Sequence, residues 1–156
     1  GMSKEISTKI NKNKNKIVFG GTFSANSFSV YAGLKVLKYI NDHKNFYKEL
    51  VDKSQKFQKK INEFIIENKI DSWVYRFDTM NRLVFSKKII KNRIQRDFLE
   101  NSKNKKINKF KEYFFRNKIY YPPSGIIFFS SASNTKNINK IIKIFCKGLL
   151  KYFGNK

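Results

Sequence analysis

Residues 20–33 read GGTFSANSFSVYAG, a glycine turn that leads into the start of a helix. The two adjacent glycines, Gly20 and Gly21, allow positive φ angles and a close approach of the backbone to a ligand. Thr22 adds a hydroxyl and a backbone N–H at the tip of the turn, and such donors suit a phosphate oxygen. A purely structural turn would have the same sequence, so the motif alone leaves both interpretations open.

A helix is expected to follow this turn, from about residue 27 to residue 41. Ser27 is a suitable N-cap for it. Small or apolar residues then recur at helical spacing, at Val30, Gly33, Leu34, Leu37 and Ile40.

A second informative block lies near the C-terminus, where residues 119–125 read IYYPPSG and residues 130–133 read SSAS. The two prolines force a turn between an expected strand at 119–121 and an expected, fully buried strand at 126–129. Asn134 or Thr135 is expected to cap a last helix with an apolar stripe.

These two blocks together resemble class III, fold-type I aminotransferases that depend on pyridoxal 5'-phosphate, and within them the glutamate-1-semialdehyde aminotransferase (aminomutase) branch. The run GGTFSANSFSVYAGLKVLKYI is similar to that family's GT[FL]SGNP segment and the small-residue helix after it. The second block is similar to the family's G-[VI]-Y-[LF]-[AP]-P-S turn and S-[ST]-A-H segment. The likeness extends from about residue 19 to residue 152.

The resemblance implies that Gly21 and Thr22 contact the phosphate of pyridoxal 5'-phosphate in the neighbouring subunit of a homodimer. Gly21 would do so through its backbone N–H and Thr22 through its hydroxyl. The sequence departs from the family at Ala25, which replaces a glycine, at Ser27, which replaces a proline, and at Ser133, which replaces a histidine. An acidic residue that members often carry after the Pro-Ser turn is also missing. These departures bear on substrate specificity more than on fold.

The resemblance also implies that the chain is incomplete as an enzyme. The family's Schiff-base lysine lies upstream of the Gly-Thr pair, next to a Gly-Gly-Gly-x-Pro-x-Gly run, and nothing before Gly20 resembles that run. The nearby lysines, which are Lys4, Lys9, Lys12, Lys14 and Lys16, lie in polar sequence and are expected to be solvated, whereas a nucleophilic lysine must be desolvated or held beside the cofactor. No catalytic residue and no metal ligand is assigned. The expected partner is a missing N-terminal large domain of the same protein.

The composition narrows the remaining possibilities. With 40% hydrophobic and 16% aromatic residues, the chain is not a generally disordered one. It has no apolar run long enough for a membrane helix and no signal peptide, so no membrane partner is expected. Its single cysteine, Cys146, fits a reducing compartment, and a cytoplasmic location is expected.

The formal net charge of +23 raises the alternative of a small, basic nucleic-acid-binding module. The excess is nearly all lysine, whereas base-specific recognition relies on arginine. We therefore expect a solvated lysine surface and no specific nucleic-acid partner. A degenerate domain retained only for protein interaction is a further alternative, suggested by the departures from the motif.

The expected organisation is a tag remnant and flexible lead-in over residues 1–16, followed by a C-terminal (small) domain over residues 17–156. A short strand at 17–19, a long helix at about 46–68 and a hairpin over 72–85 are expected, with the turn of the hairpin at 78–81 and its aromatic face packed on helices. A short helix or irregular crossing at 89–100 and a helix from 107 to about 117 complete the pattern. The fold class is α/β (an α+β two-layer sandwich), in which helices pack on a small, mostly antiparallel sheet. The small domain of fold-type I transferases has this architecture.

Overall fold

A computed structural model describes residues 3–12, 21 and 24–154 of the chain, except the side chain of Asn11. The chain divides into two compact units, Gly1–Lys44 and Asn45–Lys156. The strand expected at 17–19 lies outside the described residues.

In its described residues, the first unit contains helices α1 (Lys4–Lys12) and α2 (Ser27–Asp42). Helix α1 differs from the flexible lead-in expected over residues 1–16. Local interactions explain it, because the Ser3 hydroxyl accepts the Ile6 N–H at 3.4 Å and Lys9 pairs with Glu5 one turn away at 2.8 Å. A prediction from the number of apolar residues takes no account of such caps and ion pairs. The domain boundary at residue 17 stays a prediction.

The second unit is a two-layer arrangement of helices on an antiparallel sheet, which confirms the expected fold class. Among the described residues the strand order is β1-β2-β3, and both pairings are antiparallel. Helix α3 packs against β1 and β2, and α6 packs against both α3 and α5. The elements of this unit are α3 (Phe46–Glu67), β1 (Trp73–Phe77), β2 (Met80–Val84), α4 (Arg93–Asn101), α5 (Asn104–Arg116), β3 (Ile126–Phe128) and α6 (Thr135–Phe153).

The hairpin between β1 and β2 is confirmed, but it turns more tightly than expected. Phe77 pairs with Met80, so only Asp78 and Thr79 form the loop. Asp78 lies in the left-handed region with φ +54°, a conformation that aspartate tolerates better than most residues. The ladder therefore includes Met80 and Asn81, which the sequence pattern places in the turn.

The expectation that the aromatic side of β1 packs on helices holds only in part, because Trp73 is partly buried against the core but Phe77 is not. Val74 is fully buried on the opposite side, whereas Phe77 is 76% exposed. Val74 belongs to the core, and Asn62 of α3 holds its backbone through two hydrogen bonds. Alternation within a strand identifies two faces but not which one meets a helix that lies elsewhere in the sequence.

Two expectations for the second block also need correction. Residues 119–121 form no strand, because the chain there has no neighbour to pair with among the described residues. The strand at 126–128 is not fully buried, since Phe128 is 62% exposed at the edge of the sheet. Only Phe129, just beyond the strand, is buried as predicted.

The core of the second unit is rich in phenylalanine. Phe57, Phe110, Phe114 and Phe145 are almost fully buried. The ring centroids of Phe114 and Phe145 lie 4.4 Å apart, and those of Phe57 and Phe145 lie 5.0 Å apart. Burial of each such side chain stabilises the fold by about 1.5–3 kcal/mol. This core unites α3, α5 and α6 on one side of the sheet.

Candidate cofactor-phosphate site

The predicted phosphate-binding pair is only partly described, because Thr22 lies outside the described residues. Gly21 is exposed, and its carbonyl oxygen accepts the Ser24 N–H at 2.9 Å. A Cβ atom at Gly21 would lie 3.5 Å from the Ser24 Oγ, which is an ordinary contact, and the φ of Gly21 is not positive. Neither space nor backbone conformation within the described chain therefore requires a glycine here.

Ala25 occupies the left-handed region with φ +55°. This is the position at which the family motif has glycine. A side chain in that conformation costs roughly 1–2 kcal/mol, whereas glycine adopts it without steric strain. The geometry thus explains the family's glycine and identifies Ala25 as a locally strained substitution.

Helix α2 is capped by Asn26 and not by Ser27 as expected. The Asn26 Oδ1 accepts the Ser29 N–H at 3.2 Å. Ser27 lies one position after the cap, as the first residue of the helix itself, and its hydroxyl is therefore not placed to cap the helix. No acidic residue lies in the first turn, and the helix start is therefore suited to a nearby anion.

The described lysines of the first unit do not resemble a Schiff-base lysine. Lys4, Lys9 and Lys12 are exposed on α1, as the sequence predicted, and Lys9 already pairs with Glu5. Lys14 and Lys16 lie outside the described residues. The part of this unit that is described offers a turn and a helix start that fit a phosphate, but no desolvated amine.

The second block forms a tight turn whose glycine is required. Gly125 has φ +70° and donates its N–H to the Pro122 oxygen at 2.9 Å. A Cβ atom at Gly125 would lie 2.8 Å from Nη1 of Arg82 and 3.4 Å from the Tyr121 hydroxyl. The turn therefore packs directly on the Arg82 side chain.

Sequence reasoning missed the ion pair that holds Arg82 in place. Its Nη2 lies 3.3 Å from Oε2 of Glu100, and the other oxygen of Glu100 accepts the Phe85 N–H at 3.2 Å. Both partners are largely buried, and the Arg82 Nε has no hydrogen-bond partner among the described residues. Burial also raises the pKa of Tyr121, which lies beside this pair. No short-range sequence signal links Arg82 to Glu100 across the intervening loop and helix.

Comparison with solved structures identifies the fold. The chain is similar to an omega-transaminase from Sphaerobacter thermophilus, with a TM-score of 0.75 at 15% identity over 96% of this chain and 34% of that one. The fold is thus that of part of a transaminase.

Sequence relatives show which enzymes this chain is similar to. Glutamate-1-semialdehyde 2,1-aminomutase of Methanocaldococcus jannaschii is 29% identical over 128 residues, 79% of this chain and 28% of the relative. The enzyme of the same name from Methanococcus vannielii is 30% identical over 114 residues, which are 71% of this chain and 25% of the relative. The one from Alkaliphilus metalliredigens is 26% identical over 140 residues, which are 86% of this chain and 30% of the relative. Most of this chain is similar to the C-terminal part of glutamate-1-semialdehyde 2,1-aminomutases, as the motifs predicted. It spans less than a third of the length of these relatives, and no protein-family profile matches it.

The similarities give no support to the nucleic-acid alternative. Within the described ranges, no helix has the length and apolar character needed to cross a membrane. The same residues include no cluster of three or more histidine, cysteine, aspartate or glutamate side chains arranged to hold a metal ion.

Proposed function

We propose that this chain is the C-terminal domain of a pyridoxal-phosphate-dependent aminotransferase or aminomutase that acts on a substrate of the glutamate-1-semialdehyde kind. In this proposal the domain extends over residues 17–156, lies in the cytoplasm and is inactive alone. The observation that carries the proposal is the similarity of most of this chain to less than a third of each aminomutase. A polypeptide equivalent to the N-terminal large domain would supply the remainder.

The surface of α2 supports such a partner. No residue of α2 is buried, and Phe28, Leu34 and Leu37 are 82%, 61% and 65% exposed. A helix with apolar residues on all sides is normally enclosed by other protein, because its exposure to water costs about 25 cal/mol per Å² of apolar surface. We infer that the large domain, or the second subunit of a homodimer, covers this helix.

Gly21 and Thr22 have the role of a phosphate clamp in this proposal. Gly21 presents its backbone to the phosphate without a side chain in the way, and the Thr22 hydroxyl donates a hydrogen bond. The start of α2 adds the favourable field of a helix N-terminus without an opposing acidic side chain. The cofactor, when bound, supplies the electron sink for movement of the amino group.

A chimera tests the proposal directly. The C-terminal part of the Methanocaldococcus jannaschii aminomutase would be replaced by this chain, and retention of pyridoxal phosphate would be measured after gel filtration. We expect the chimera to retain the cofactor. Thr22→Val should weaken binding by about tenfold or more, because a hydrogen bond to a charged group contributes about 1.5–3 kcal/mol.

Thr8→Val is the matched control, because the Thr8 hydroxyl donates to the Lys4 oxygen of its own helix, at 2.8 Å, on exposed α1. It should leave cofactor affinity unchanged. A folded chimera that retains no cofactor would contradict the proposed function. Equal affinities of the Thr22→Val chimera and the unmodified one would contradict the role given to Thr22.

A further inference from the structure

The outer edge of β1 is closed by α3. Asn62 accepts the Val74 N–H at 2.8 Å and donates to the Val74 oxygen at 3.0 Å, and Gln58 donates to the same oxygen at 3.1 Å. These bonds occupy the backbone groups that β1 would otherwise offer to another strand. They also show which residue pairs of the β1–β2 ladder are hydrogen-bonded. Val74 directs its N–H and its carbonyl oxygen away from its cross-strand neighbour Leu83, so these two residues share no backbone hydrogen bond.

The outer edge of β3 is open. Since Val74 and Leu83 form a pair without mutual hydrogen bonds, the alternation makes Asn81 and Ile127 a hydrogen-bonded pair. The backbone groups of Ile126 and Phe128 must then point away from β2. In agreement, the Ile126 N–H bonds outward to the Ser124 Oγ at 3.4 Å. No strand among the described residues pairs with this edge.

An apolar groove lies along the open edge. Its volume is about 390 Å³, and it is lined by residues 126–129, by residues of the segment 119–124, and by Ile141 and Phe145 of α6. None of its lining residues is charged, although the chain as a whole carries +23. Residues 119–121, whose sequence is typical of a strand, form one wall and pair with no strand in the described part of the chain. The groove thus offers an open strand edge beside an uncharged wall.

We propose that an extended segment of the polypeptide that supplies the large domain adds to β3 as a fourth strand in this groove. Its backbone would pair with Phe128 and, in place of the weak bond from the Ser124 hydroxyl, with Ile126, and its alternate apolar side chains would fill the groove. The choice of occupant rests on the proposed function, because relatives are more than three times as long as the part that this chain covers. A second copy is disfavoured, since it would bring two chains of charge +23 together at a groove without acidic residues.

Peptide binding tests this proposal. Short overlapping peptides would cover the part of the Methanocaldococcus jannaschii aminomutase to which this chain is not similar, and binding to the intact chain would be followed by fluorescence anisotropy. We expect at least one peptide with alternating apolar residues to bind. Phe128→Pro should weaken the affinity for this peptide by about tenfold or more, because proline removes an outward N–H and its ring obstructs the incoming strand. Phe128→Ala keeps the N–H and should have a clearly smaller effect.

Two further measurements do not depend on how well the proline variant folds. Binding of the peptide should slow hydrogen exchange at the Phe128 amide, and N-methylation of the peptide amides that face β3 should abolish binding. Absence of binding by every peptide, or binding without protection of Phe128, would overturn the fourth-strand proposal. Cofactor retention by the chimera is a separate readout, so a failure of the proposed function is distinguishable from a failure of this one.

Discussion

Asn62 is expected to be a principal point of attachment between α3 and the sheet. Its side chain makes two hydrogen bonds to the backbone of Val74, a residue with no exposed surface. In Asn62→Ala both bonds are lost. The Val74 oxygen keeps its bond from Gln58 at 3.1 Å, but the Val74 N–H is left buried without a partner.

The expected loss of stability follows from these contacts. Two hydrogen bonds contribute about 1–3 kcal/mol together, and an unsatisfied buried N–H shifts the cost toward the upper end of that range. We therefore expect the free energy of unfolding to fall by about 2–3 kcal/mol. That is a large fraction of the stability of a small domain.

Urea unfolding followed by tryptophan fluorescence measures this loss, because the single tryptophan, Trp73, precedes Val74 in β1. Asn45→Ala is the matched control, since Asn45 is exposed and its side chain makes no cap hydrogen bond at α3. It should change stability by less than about 0.5 kcal/mol. A loss below that value in Asn62→Ala would refute the attachment of β1 by Asn62.

Three further predictions concern glycine, alanine and cysteine positions. Gly125→Ala should lower the free energy of unfolding in urea by about 2 kcal/mol, because the added Cβ strains a backbone with φ +70° and contacts Arg82. Gly33→Ala is the contrasting change and should increase the helix signal in circular dichroism, since nothing lies within 4 Å of its added Cβ. Ala25→Gly should relieve about 1 kcal/mol of left-handed strain and slow amide exchange in the first turn of α2; unchanged exchange would count against that strain. Burial raises the pKa of the Cys146 thiol from 9.0 to about 11. The stability that the protonated thiol contributes is therefore complete below pH 9 and is lost as the pH rises toward 11. Cys146→Ser should reduce this fall in the free energy of unfolding between pH 9 and 11, and an equal fall in the variant would show that the thiol is not responsible.

The elements that sequence patterns predicted well are those with strong local signals. The helices α3 and α6 have apolar stripes at helical spacing, and the β1–β2 hairpin has two apolar runs around a polar turn. The fold class followed from their order. Helix α1 is not predicted because its segment is low in apolar residues, although a hydroxyl cap and an ion pair at i,i+4 spacing favour a helix there.

Features that depend on distant residues were not predictable in the same way. Which side of β1 is buried depends on how α3 packs against the sheet, and whether residues 119–121 form a strand depends on a neighbour that the described chain does not provide. The pair of Arg82 and Glu100 likewise forms only in the folded domain. The candidate phosphate site was located by its motif, but the strain at Ala25 and the cap at Asn26 required the backbone conformation.

The most direct test of the proposed function is the state of this chain in the cells that produce it. An antibody against the chain would be used to isolate it under native conditions, followed by mass spectrometry and measurement of pyridoxal phosphate. We expect it with the N-terminal part of an aminotransferase, either in one longer polypeptide or in a stable complex, and with bound cofactor. Isolation of an 18.5 kDa chain without such a polypeptide and without cofactor would contradict its assignment as the C-terminal domain of a working aminotransferase.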